Sequence, residues 1–300
     1  MTFLAFILIA GSVLLHALWH FISKSSHPSV AFFLPVSFAV VLTGLPLLIF
    51  SGIRPCELPA SVLLFVLGGG LFGVLGDIGL SYAYRFADIS QAYPMARALP
   101  VLLTAGVTGI CGFGRPLSCW GIIGMVIIFT GCVLLPLANA DKIQWKAFYN
   151  KGMLGIILAA IATTGYTITD SFGVQNILRY APEAGQLGGA GTYSCLRETV
   201  LACGLMAYLL IFDRRSLRGI GKEFTKPQSY LAGVFAASAY IMILIAMTHV
   251  TNVSYVQAFR QLSLPISVLL GVMILKEKIT LFKIAAIGMI LGGLLIIYLG

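Results

Sequence analysis

Six charged residues fall inside long apolar runs of this 300-residue chain: Asp77, Arg97, Asp170, Arg197, Glu198 and Arg260. A charge at the centre of a bilayer costs about 2.5–3.5 kcal/mol on insertion scales, so each needs a partner, a wet cavity or a task. Arg97 and Arg260 carry the sharpest chemistry. Each is expected about two turns into its helix, too deep for easy escape to the interface. Tyr93 stands four residues before Arg97, on the same helical face. Gln257 stands three residues before Arg260, and Gln261 follows it directly. Two guanidinium forks among neutral hydrogen-bonding groups suit carboxylate, phosphate or phosphonate oxygens. That favours an anionic or zwitterionic solute. Three acids and three arginines can equally neutralise one another as structural ion pairs.

The remaining polar positions suggest proton handling and cavity lining. His16 and His20 are spaced i,i+4 with Trp19 beside them, and Thr163, Tyr166, Thr167 and Asp170 form a similar stripe further on. No further ligand cluster accompanies the two histidines, so no metal is expected. They read as lining a cavity or responding to protons. Tyr240 is a further candidate for contact with a solute, while Asp170, Glu198 and Asp77 are candidates for a coupling proton. Arg197 and Glu198, adjacent in sequence, point about 100° apart on a helix and are expected to face different surroundings. Gly69, Gly73 and Gly76, just before Asp77, form a small-residue face for close helix approach. Lys283 is expected to snorkel.

Several classes of chemistry find no motif. There is no Walker A sequence, and the one GxGxxG match, Gly68 to Gly73, lies inside an apolar run where it reads as close helix packing and not as a phosphate cradle, so no cofactor is expected. GxSxG and HExxH are absent, which disfavours a membrane-embedded enzyme, and no repeated filter sequence recommends a channel. The cysteines at 56, 111, 119, 132, 195 and 203 lack CxxC spacing and read as small packed or lipid-facing residues.

The elements that must position these residues are membrane helices. Hydrophobic residues make up 59% of the chain and charged ones 10%, with a mean hydropathy of +0.99. A bilayer-spanning helix takes roughly 20 apolar residues. Runs of that length predict helices over 3–23, 29–51, 60–84, 89–111, 117–138, 152–177, 189–212, 228–249, 253–275 and 279–299. The first holds His16, Trp19 and His20 and has no basic residue ahead of it, so it reads as a permanent helix and not a signal peptide. Continuous apolar runs argue against a barrel of alternating strands.

The net charge of +9 is distributed by side. In a ten-helix arrangement, Lys24, Arg85, Lys142, Lys146, Lys151, Arg214, Arg215, Arg218, Lys222, Lys226, Lys276 and Lys278 share one side, against Arg54, Arg115 and Arg179 on the other. The positive-inside rule places the rich side in the cytoplasm and both termini outside, in a multi-pass protein of the plasma or inner membrane. The basicity reports topology, and nucleic acid is not an expected partner.

The second half echoes the first. The run from Asp88 through Arg97 to Pro100 parallels that from Asn252 through Arg260 to Pro265, and Leu117-Ser118 parallels Ile279-Thr280. Gly124 and Gly131 recur as Ala286 and Gly293 at the same spacing. Five helices per half is odd, so the second copy enters from the opposite face. The stretch from Leu264-Pro265 to Glu277 and Thr280, with Leu15-His16-Ala17-Leu18-Trp19 near the start, resembles the drug/metabolite transporter superfamily in its EamA-like ten-helix branch. The likeness spans the chain. Gly112 to Arg115 depart from it where the family turn often carries a glutamate, and the family's better-known members keep both termini cytoplasmic. The expected fold is an all-α integral membrane protein of ten transmembrane helices as two inverted five-helix repeats, over 1–138 and 152–300, joined by a basic loop at 139–151.

The resemblance implies a secondary transporter of a small polar or amphipathic metabolite, working by alternating access. Its expected partners are a small-molecule substrate, the lipid bilayer and a proton or counter-solute. An exporter of drugs and hydrophobic cations is the alternative on the same fold. Oligomeric state is left open by the sequence.

Overall fold

The structure, a computed structural model, describes residues 2–24, 29–86, 89–137, 151–275 and 280–300. The basic connecting segment expected at 139–151 lies outside these residues except for Lys151. Five helices occupy the first half: α1 (Phe3–Lys24), α2 (Val30–Phe50), α3 (Ala60–Phe86), α4 (Ile89–Cys111) and α5 (Cys119–Leu137). The second half holds α6 (Gly152–Tyr180), α7 (Gly185–Phe212), two short helices α8 (Arg214–Arg218) and α9 (Ile220–Phe224), then α10 (Pro227–Met247), α11 (Val253–Phe259), α12 (Ser263–Leu275) and α13 (Leu281–Leu299). Among the described residues no strand occurs, and eight helices are long and apolar enough to cross a membrane. The chain is therefore an all-α protein with the build of a multi-pass membrane protein.

Helix starts follow local chemistry. Ser29, Asn252 and Thr280 cap α2, α11 and α13, each accepting a backbone N–H through its side chain. Between α11 and α12 the chain narrows to a 3-10 turn over Arg260–Leu262. The sequence predicted one helix there. Pro265 accounts for the difference: its ring crowds the carbonyl four residues back, at Gln261, and it has no N–H to give.

Packing runs between the halves. α3 lies against α6, α1 against α10, α2 against α7 and α10, and α5 against α13. The α3–α6 contact is backbone to backbone. A Cβ at Gly79 would stand 2.8 Å from the Ala159 nitrogen, and one at Gly155 2.6 Å from that of Ala83. Gly124 meets the backbone of Gly293, and Gly131 that of Ala286. Large side chains such as Phe50, Leu64, Ile110 and Ile211 point outward, as lipid-facing residues do. Lys283 is buried instead of snorkelling, because α13 turns that face inward.

Loops at one end of the bundle are joined by hydrogen bonds. Asn252 donates through Nδ2 to the carbonyls of Phe113 and Arg115, and the Arg115 amide donates to the Thr251 carbonyl at 2.9 Å. Thr2 donates to the His249 carbonyl, whose ring meets Gln186. Tyr180 donates to the Glu57 carbonyl, and Thr192 to Ser51. Gly114 makes the first of these contacts possible. Its φ of +82° suits glycine, and a Cβ there would stand 2.7 Å from the Thr251 carbonyl oxygen.

Candidate functional site

Two polar layers lie inside the helices. The first is built on the break between α11 and α12. Arg97, from α4, donates to the Arg260 carbonyl at 2.9 Å and to Ser263 Oγ at 3.1 Å, and its other terminal nitrogen meets His16 Nε2 at 2.7 Å. Ser263 donates to the same Arg260 carbonyl. The Arg260 carbonyl, which takes the Ser263 amide across the 3-10 turn, thus gains a hydroxyl and a guanidinium as further donors where the helix is irregular. The expected partnership of Arg97 and Arg260 is therefore direct, but it runs from one side chain to the other residue's backbone.

The Arg260 guanidinium is left with an unused donor. The residue is buried, and its Nη1 meets no acceptor among the described residues. Gln257 and Gln261 are buried on the same face, each with a side-chain oxygen that accepts nothing. Gln261 donates through its amide nitrogen to the Gln257 carbonyl. Thr104 on α4 and Thr167 on α6 are also fully buried with unused hydroxyls, and both helices pack against α11. Buried polar groups are rarely left in this state, so the face of Gln257, Arg260 and Gln261 suits a polar occupant. His16 stacks edge-on with Trp19 at 6.1 Å. The side chains of Tyr93 and His20 lie outside the described residues.

The second layer is an ion network around Arg197 of α7. Its Nε lies 3.5 Å from Asp170 Oδ2, and its Nη1 donates to Glu198 Oε2 at 2.8 Å. The guanidinium lies against the rings of Tyr166 and Tyr240, at 5.2 and 5.1 Å from their centroids, while the two rings pack edge-on to each other at 6.4 Å. Asp170 is fully buried and accepts from Tyr193 Oη at 2.7 Å and from Tyr240 Oη.

Glycines open the room for this network. A Cβ at Gly69 would collide with Asp170 Oδ1, one at Gly73 would come 2.8 Å from Arg197 Nη2, and one at Gly173 would strike the Tyr193 ring. The small-residue face of α3 thus admits side chains as well as a helix.

Arg197 and Glu198 were expected in different surroundings. They pair at 2.8 Å, the length of the two side chains being enough to span the 100° offset. Tyr193 was not singled out, although a tyrosine far from either helix end must find a partner for its hydroxyl. Ser263 gave no such signal, since its role comes from a backbone break three residues away. Among the described residues no group of three His, Cys, Asp or Glu side chains is placed to hold a metal ion.

No protein-family model matches the sequence, and no curated protein does. The fold is similar to that of a protein of known crystal structure, with a TM-score of 0.72 over 98% of this chain and 96% of the other at 16% identity. At that identity the likeness concerns fold alone.

Proposed function

We propose that this chain is a secondary transporter of a small anionic or zwitterionic solute, with ten spanning segments in two inverted repeats over residues 1–138 and 152–300. The resemblance to the EamA-like drug/metabolite transporters supports the same assignment. The crossed glycine contacts favour the repeat. Gly124 matches Ala286 in the alignment of the halves and Gly131 matches Gly293, yet Gly124 touches Gly293 and Gly131 touches Ala286. A two-fold axis relating the halves requires that exchange. The pairing of α3 with α6 likewise has its counterpart in that of α10 with α1.

One observation carries the solute class: the buried Arg260 donor that meets no acceptor, beside unused oxygens of Gln257 and Gln261. A carboxylate or phosphonate oxygen satisfies the first, and an ammonium or hydroxyl the others. Solute would bind between the halves, with access alternating as they rock. The rings of Tyr166 and Tyr240, which would suit a hydrophobic cation, already hold the Arg197 guanidinium against them.

The test is a thermal-shift screen of purified protein against amino acids, organic acids, phosphonates and drug-like cations, since a ligand of the folded state raises its melting temperature. A saturable shift with an anion or zwitterion, weakened at least about tenfold in Kd by Arg260→Ala, is the expected result. Shifts confined to hydrophobic cations and unchanged in Arg260→Ala would overturn the proposal.

A further inference from the structure

The segment joining α7 to α10 is a folded, two-faced strip. Leu217, Ile220 and Phe224 face inward onto the cluster formed by α2 and α7, and Phe224 meets Phe38 edge-on at 6.0 Å between ring centroids. Arg214, Arg215, Arg218 and Lys222 are exposed on the other face. The acids of the segment are otherwise engaged: Asp213 caps α8 through the amide and hydroxyl of Ser216, and Glu223 pairs with Lys226 at 2.8 Å. Among the described residues none of the four exposed cations forms an ion pair. The positive charge is locally uncompensated and held in fixed places by the apolar side of the strip.

The strip also sits at a particular depth. It follows at once on Leu210, Ile211 and Phe212, which end α7 with exposed apolar side chains. In a spanning helix such a collar marks the edge of the hydrocarbon, so the next residues lie among lipid headgroups. From this juxtaposition we infer that Arg214, Arg215, Arg218 and Lys222 form a docking surface for the phosphate groups of anionic lipids in the adjoining leaflet. Guanidinium groups suit phosphate oxygens, and clustered basic residues beside a membrane helix gain attraction from an anionic surface. Such a contact would clamp the α7–α10 connection to the bilayer, whatever solute the chain carries.

The experiment uses the full chain in detergent supplemented with phosphatidylglycerol, phosphatidylcholine or soluble glycerol phosphate. The expected result is a saturable rise in Tm with phosphatidylglycerol only, weakened by salt. The variant R214Q/R215Q/R218Q/K222Q should lose affinity for that lipid at least about tenfold. Its Tm in phosphatidylcholine should match the parent's, and R214K/R215K/R218K should keep most of the response. If the glutamine variant does not fold, R214Q/R218Q gives the same comparison with half the charge removed. An equal phosphatidylglycerol response in parent and variants overturns the proposal, as does an equal shift with soluble glycerol phosphate.

Discussion

The ion network shows how few residues decide the chemistry of this interior. Asp170 has no exposed surface and takes two tyrosine hydroxyls and one guanidinium. Removing one partner of a buried pair leaves a charge that nothing compensates, typically at a cost of about 3–5 kcal/mol. Arg197→Met is therefore expected to lower stability by about that amount, measured as unfolding in mixed detergent. The double variant Arg197→Met/Asp170→Asn should recover part of the loss. Equal losses in single and double variants would mean that the pair is not the source. Asp170 and Glu198 are the candidates for proton coupling, since both carboxyls share the one guanidinium of Arg197. In proteoliposomes, Asp170→Asn or Glu198→Gln should abolish uptake driven by a pH gradient while sparing exchange of solute. Gradient-driven uptake surviving in both would assign the coupling elsewhere. Much of this layer was legible in the sequence, because a charge in an apolar run announces that it needs a partner. The identity of the partner was not. Arg197 could have served Asp170, Glu198 or a solute, and it is the packing of α6 against α7 that lets it meet both acids at once.

At the scale of elements, the sequence was most informative where a single physical demand acts. Apolar runs of bilayer length placed the long helices closely, since nothing else competes to set their ends. The region from 253 to 275 misled because two demands conflict there: continuous hydrophobicity argues for one helix, and Pro265 argues for a break. The break prevails because Pro265 has no N–H to give Gln261, while the turn before it is held by the Ser263 amide and by donors from Ser263 and Arg97 to the Arg260 carbonyl. The glycines show the same division. Gly69, Gly73 and Gly76 of α3 were recognisable as a close-packing face, but Gly79 and Gly155, which meet backbone across α3 and α6, were not singled out. Gly79→Ala should push α3 from α6, since its new Cβ would stand 2.8 Å from the Ala159 nitrogen, and destabilise by about 1–3 kcal/mol. Gly106→Ala, on α4 with nothing within 4 Å, should instead raise stability by up to about 1 kcal/mol. Thermal unfolding of the two variants side by side checks the contrast. Equal effects would show that helix propensity, and not contact, governs both.

For the molecule as a whole, the hydrogen bonds at the end that holds Thr2 and Asn252 cross between the halves. Thr2, Ser51, Glu57, Phe113 and Arg115 belong to the first half, and their partners His249, Thr192, Tyr180, Thr251 and Asn252 to the second. If the halves rock about a central site, this end is closed in the present conformation and must part once in each cycle. The tie between Arg115 and Thr251 is the sharpest place to test that, because their backbones meet at 2.9 Å, N to O. In a background with the native cysteines replaced by alanine, Arg115→Cys/Thr251→Cys should join by disulfide or by a short thiol crosslinker. A third cysteine at the buried Thr104 then reports access through a membrane-impermeant maleimide. Before crosslinking, label should reach it from either side of the bilayer as the cycle turns over. After crosslinking, it should arrive only from the side opposite Arg115, with solute flux lost and both restored by reductant. Labelling that stays two-sided after complete crosslinking would mean that the two loops move together, and that these hydrogen bonds hold a fixed wall instead of a gate.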